Sequence, residues 1–217
     1  MSRRWMAVMA ASVLLTAASQ VVRAEETKAQ PKPDEAFANK LYATDVTQQK
    51  KTFACFVREY DRNHLARHHA QKVTAMKLLV TAERDPEDGV LNHSFSLGVK
   101  LRNRPENFSS GGGCGHAKMS EGENGQEHLG CNVDCEGGGV DVELSADAKS
   151  TIVRVGSVRI WNYKKPSEEG FYLEGGADDR VFRLDRAPLE MCKSLAEDRD
   201  ELAEMMAQAK KRVSAVR

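Results

Sequence analysis

Across 217 residues the sequence has no run of about 18 consecutive apolar residues, the length a membrane-spanning helix requires. No Cys-x-x-Cys pair occurs, which excludes thioredoxin-type redox chemistry. No Gly-x-Ser-x-Gly occurs either, which excludes the nucleophile elbow of α/β-hydrolases. No cysteine precedes Cys55, so a lipid-anchored N-terminal cysteine is excluded. Basic residues are neither in excess nor concentrated: Lys and Arg number 32 and so do Asp and Glu. Nucleic-acid binding, which needs a dense basic face, therefore has no support.

What is present begins with an export signal. Arg3 and Arg4 form a basic start, Met6 to Ala18 is mostly apolar, and Val22-Arg23-Ala24 offers small residues at the cleavage position. The reading is a signal peptide over residues 1–24, whose apolar run is too short for a retained anchor. A twin-arginine route fits less well, because Trp5, Met6 and Ala7 match its pattern poorly. Three arginines and no acids lie in that segment, so the remaining chain carries a net charge of −3. Its expected location is periplasmic or secreted, with no membrane span after cleavage, and oxidising conditions there favour paired cysteines.

Residues 25–50 are polar, contain Pro31 and Pro33, and read as a flexible lead-in with a short helix over 34–43 as an option. From about residue 51 the pattern becomes two-fold. Leu91, His93, Phe95, Leu97, Val99 and Leu101 fall on one face of a strand, with Asn92, Ser94, Ser96, Gly98 and Lys100 on the other. Similar alternation recurs over 72–82, 129–135, 140–144, 151–155, 157–163 and 180–184. The expectation is a mainly β domain over 51–192, an antiparallel up-and-down barrel or sandwich of about seven or eight strands. After Pro188 the period changes to a helical one, with acids early and Lys210, Lys211 and Arg212 late, as the helix dipole favours. A helical extension over 193–217 is expected.

The stretch from Gly111 to Gly139 concentrates cysteine, histidine and glycine. Cys131 and Cys135 lie four apart on an expected strand, roughly 13 Å between Cα atoms, whereas a disulfide tolerates less than about 7 Å. They should therefore bond to different partners. The disulfide candidates are Cys114, Cys131, Cys135 and Cys192, with the favoured pairs Cys114–Cys131 and Cys135–Cys192 and with Cys55 free; sequence alone leaves other pairings open. Zinc-capable Cys114, His116, His128, Cys131 and Cys135 also cluster here, although no paired zinc module is matched and disulfides compete for the thiols. Gly111 to Ser120 is not a phosphate loop, since Ala117 stands before Lys118 where glycine is needed. Asp134, Glu136, Asp141 and Glu143 do not follow the calcium-loop order, and acids on the wet face of a strand explain them more simply.

His64 and His68 are four apart and would share a helix face, a spacing metal sites use. Leu65 stands where the HExxH acid belongs, so the protease signature fails and solvated histidines are the simpler reading. His93, among apolar neighbours, is expected to be a hydrogen-bonded core histidine. In the C-terminal helix Cys192, Leu195, Arg199, Leu202, Met206, Ala209, Val213 and Val216 follow a 3-4 repeat. Leu202, Met206 and Val213 would then face a partner helix or a second copy, as an alternative to packing on the same domain.

YDRNHLARH, LGCNVDCEGGGV and DDRVFRLDR, in that order, resemble the YDxxHLxxH, CxVDCxGGG and DDxxFRLDR blocks of a family of small secreted bacterial proteins of unknown function. The resemblance spans roughly residues 55 to 192 and implies no activity and no catalytic residues. Two functions are therefore expected in competition. The leading one is an exported non-catalytic protein that binds a ligand or envelope partner on a β-scaffold, with no cofactor. The other is a metal-dependent or hydrolytic enzyme using His64/His68 or the Cys114–Cys135 stretch.

Overall fold

The computed structural model describes residues 33–118, 127–165 and 169–215. The signal-peptide segment, and Val216 of the helical seam, lie outside the described residues. Nine strands dominate: β1 (Lys51–Glu59), β2 (Val73–Arg84), β3 (Leu91–Leu101), β4 (Asn107–Lys118), β5 (Glu127–Asn132), β6 (Gly138–Leu144), β7 (Ser150–Asn162), β8 (Phe171–Glu174) and β9 (Val181–Ala187). All are antiparallel, and each from β1 to β7 pairs with the next. β9 then lies between β7 and β1, so the sheet closes into a ring. The short β8 adds to the second half of β7.

The ring closes because the long β7 serves four neighbours, β4, β6, β8 and β9. Thr151 to Val158 pairs with β6, while Trp161 and Asn162 run on past it to Ser109 and Phe108 of β4. Closure leaves no exposed edge along most of the sheet. Inward positions are apolar on every strand of the ring, among them Phe56, Leu78, Phe95, Leu97, Leu129, Val142, Val153 and Leu184, and they form one buried cluster. The ring is thus a filled core, as expected of a small barrel.

Part of the lead-in is a core element. Helix α1 (Pro33–Tyr42) and a 3₁₀ turn at Val46–Gln48 bury Phe37, Ala38, Leu41, Tyr42 and Val46 against that cluster. Four apolar residues at helical spacing outweigh the polar average of the segment, so the short helix offered over 34–43 is present, at Pro33–Tyr42, and packs into the core. Arg186 fixes the helix end by donating to Leu41 O and Lys40 O, and Arg212 donates to Tyr42 O.

Beneath α1 sits His93, only 8% exposed, with Nδ1 2.9 Å from the Tyr42 hydroxyl. Burial, reinforced by His116 and opposed by Asp34, lowers its pKa to about 4. The neutral form is the one the fold accepts. Stability carried by this group is complete above the unfolded value near 6.5 and is lost as pH falls toward 4, a loss of about 3 kcal/mol when complete. Urea midpoints across that interval should fall with acidification, and His93→Gln should flatten the fall. An unchanged slope in the variant would show that other groups drive the acid sensitivity.

The outer face of β1 and β2 carries a second layer. A 3₁₀ segment (Leu189–Leu195) and helix α3 (Arg199–Ala215) cover Phe53, Cys55 and Leu79 with Leu189, Cys192, Leu195, Met205 and Ala209. The Cys55–Cys192 disulfide staples this layer to β1. Cys192 therefore does not bond Cys135, and Cys55 is not free. The reason is local: Cys135 lies in the turn between β5 and β6, with φ 56°, is exposed, and is the unbonded cysteine. Cys114 and Cys131 are directly opposed across β4 and β5 and are bonded.

Along the seam the helix packs on its own domain, the alternative to a partner helix. Leu202 and Met206 are half-buried against the chain's own sheet, and only Val213, 57% exposed, points away. Gln208 and Arg212 tie α3 down further through Phe53 N, Thr52 Oγ1 and Phe53 O.

Candidate functional site

At the end of the ring opposite α1, the chain leaving β1 forms α2 (Arg62–Arg67). Asp61 caps it by accepting from His64 N at 2.7 Å, a bond that also holds the Asp61 carboxyl below the usual range. Helix-capping carboxylates at N-termini behave this way. Arg102, at the end of β3, fixes the other end of the segment. Its guanidinium donates to Leu65 O, His68 O and Gln71 O at 3.0, 3.2 and 3.1 Å.

These restraints pile up three rings. Tyr60 stacks on His64 with centroids 4.6 Å apart, and His64 stacks on His68 at 4.3 Å. The Arg58 guanidinium lies 5.4 Å from the Tyr60 ring, a cation–π arrangement. Burial pushes the Tyr60 phenol above its ordinary range, so it remains a protonated hydroxyl.

Buried Gln71 sets the state of His64. Its amide nitrogen donates to Val73 O at 2.6 Å, which leaves Oε1 as acceptor, 2.9 Å from His64 Nε2. His64 Nε2 therefore carries a hydrogen.

The facing wall comes from the loop between β8 and β9. Asp179, 1% exposed, accepts from Lys72 N and Val73 N at 2.6 and 3.0 Å and so anchors that loop to the start of β2. Its neighbour Asp178 instead stands 3.6 Å from His68 Nδ1, an ion pair when the imidazole is protonated. Tyr60, His64, His68, Gln71, Ala177, Asp178, Arg180 and Val181 enclose a pocket of about 360 Å³. Two sequence stretches more than a hundred residues apart, Tyr60 to His68 and Ala177 to Val181, thus meet at one end of the ring.

The pocket offers both charge signs, ring faces and hydrogen-bond groups. Among the described residues no serine, threonine or cysteine lines it, and its one hydroxyl is the Tyr60 phenol. The His68–Asp178 separation is longer than a hydrogen bond, and His64 Nε2 is committed to Gln71. Among the described residues no group of three or more His, Cys, Asp or Glu side chains is placed to hold a metal ion.

The second expected cluster is dispersed. Cys114 and Cys131 are consumed in their disulfide, and Cys135 stands on the turn. His116 stacks on Phe37 at 4.5 Å with Nδ1 2.8 Å from Asp34, while His128 lies 3.8 Å from Asp141. Glu143 is buried and paired with Arg154, whereas Asp134 and Glu136 belong to the turn. The spacing of His64 and His68 was a signal for the site. Gln71, Asp178 and Arg180 gave none, because only the closure of the ring brings them near. No helix among the described residues is long and apolar enough to cross a membrane. No family model, curated protein or solved structure matches the chain.

Proposed function

We propose that this is an exported, non-catalytic binding protein, periplasmic or secreted, that holds a small charged polar ligand in the pocket at the α2 end. The observation that carries this reading is the way the pocket's groups are committed. His64 is locked by Gln71 and Asp179 is spent on backbone amides, while Arg180, and Asp178 at 3.6 Å from His68 Nδ1, line the pocket where a guest would sit. A volume of about 360 Å³ suits a molecule the size of an amino acid or dipeptide, within the usual range of ligand pockets. The adjacent carboxylate and guanidinium fit a zwitterion. Two disulfides support residence in an oxidising compartment, and the signal-like residues 1–24 supply the route.

The test is thermal denaturation in the presence of amino acids, dipeptides and dicarboxylic acids. At a concentration one hundred times its Kd, a bound compound adds about 2.7 kcal/mol. Stabilisation by at least one compound, abolished by Arg180→Ala or Asp178→Ala, is expected. Stabilisation that survives both variants would place the ligand elsewhere, and a uniformly flat screen would overturn the reading.

A further inference from the structure

Strand β4 carries glycine at 111, 112, 113 and 115, and the reasons differ by face. On the inner face, a Cβ at Gly112 would stand 2.1 Å from Asn132 O, so the ring itself forbids a side chain there. On the outer face of β3, Leu195 Cδ2 lies 2.9 Å from where a Cβ of Gly98 would be, so the outer layer claims that position. Gly113 and Gly115 are on the exposed face, and an added Cβ at either would meet nothing within 4 Å. Glycine inside a strand is destabilising relative to a residue with a side chain. The chain carries that cost twice without using the space.

Gly113, with Gly111 and Gly112, floors a trough of about 450 Å³. Ser94 and Ser96 of β3 pair with Gly113 and Gly111, and Thr81 of β2 lies beside Ser94. Glu197 and Glu201 wall one side and Asp134 the other. Thr81 is only 6% exposed and lines the trough, yet its hydroxyl has no hydrogen-bond partner among the described residues. Solvent still reaches that hydroxyl, so it is open to a guest's peptide group. Glu201 is held by Lys51 at 3.3 Å and by Glu197 N at 2.7 Å. The carboxylates of Asp134 and Glu197 are exposed and form no ion pair among the described residues, and no basic residue lines the trough.

We propose that this trough is a docking site for an extended, lysine- or arginine-bearing segment of a partner protein. Bare backbone at Gly111 and Gly113 admits a main chain closer than a side-chain-covered sheet would. The hydroxyls of Thr81, Ser94 and Ser96 meet its peptide groups, and Asp134 and Glu197 flank its cations. The site is independent of the α2-end pocket.

The probe is a fluorescein-labelled peptide of alternating lysine and serine, whose lysines fall on one face when extended, followed by anisotropy at low salt with the full folded protein. Gly113→Val leaves net charge unchanged and enters open space, so circular dichroism and melting should hold while affinity drops at least about tenfold through lost access. Asp134→Asn with Glu197→Gln should drop it by a similar factor through lost charge complementarity. Equal affinity in Gly113→Val would reduce the interaction to unspecific attraction and overturn the proposal. Absence of binding to the unmodified protein would do the same. Spermine displacing the peptide at equal concentration would reassign the trough to small polyamines and so overturn the partner reading.

Discussion

Replacing Cys55 and Cys192 together by alanine is expected to lower the unfolding free energy by about 5 kcal/mol, against about 3 kcal/mol for the Cys114/Cys131 pair. The difference follows from the loops each bond closes. Cys55–Cys192 spans 137 residues and Cys114–Cys131 spans 17, and the entropy removed from the unfolded chain grows with the logarithm of loop length. Native context strengthens the asymmetry. Cys55 and Cys192 are both buried at the junction of sheet and outer layer, so their loss also loosens the contact of Leu189 and Leu195 with β1 and β2. The shorter bond joins two strands already held by a ladder of backbone bonds. Urea unfolding of both double variants under oxidising conditions measures the order directly. The larger loss from the Cys114/Cys131 pair would mean that the outer layer contributes little.

Ending the chain after Ala196 is expected to cost roughly 5 kcal/mol, because three large apolar side chains leave the sheet at about 1.5–3 kcal/mol each, less the ordering entropy the helix no longer loses. Met205 is fully buried, Leu202 and Met206 are half-buried beside it, and Phe53 beneath them becomes exposed. The bonds from Arg212 to Tyr42 O and Phe53 O go as well, so α1 loses a clamp. A loss of that size is comparable with the whole stability of many domains. The truncated chain should melt far lower, and Met205→Ala alone should cost about 2–5 kcal/mol. A truncated chain that melts within a few degrees of the full one would restore the view that α3 reaches outward to a partner.

The strands were legible where one face is wet. Leu91–Leu101 alternates cleanly because Asn92 and Ser94 face solvent while His93 and Phe95 face the core. The ring direction of the chain was legible too, since short turns between alternating segments leave few alternatives. The β5–β6 turn was not. Val133, Cys135 and the glycines continue the period of two across a reversal, and the positive φ of Cys135, Glu136 and Gly138 breaks it. That single misreading displaced a disulfide. In α3 the 3-4 repeat pointed to Met206 where Met205 is the deeper residue, because a helix lying across strands presents a broader face than a coiled-coil seam. The helix of α1 was legible over 34–43, but its charges hid that Phe37, Ala38, Leu41 and Tyr42 share one buried face. Of the site, the helical spacing of His64 and His68 was visible. The facing wall of Asp178 and Arg180 depends on ring closure, which no local pattern encodes.

The account rests on the α2-end pocket acting as a binding site in which His64 is tied to Gln71 and not to a metal. The most direct measurement is the metal content and native mass of protein isolated from its natural source. The expected mass is that of a chain with two disulfides, with no stoichiometric zinc, and with any bound organic ligand lost in Arg180→Ala. One zinc per chain, absent from His64→Ala and His68→Ala proteins, would contradict the account and make the pocket a metal centre.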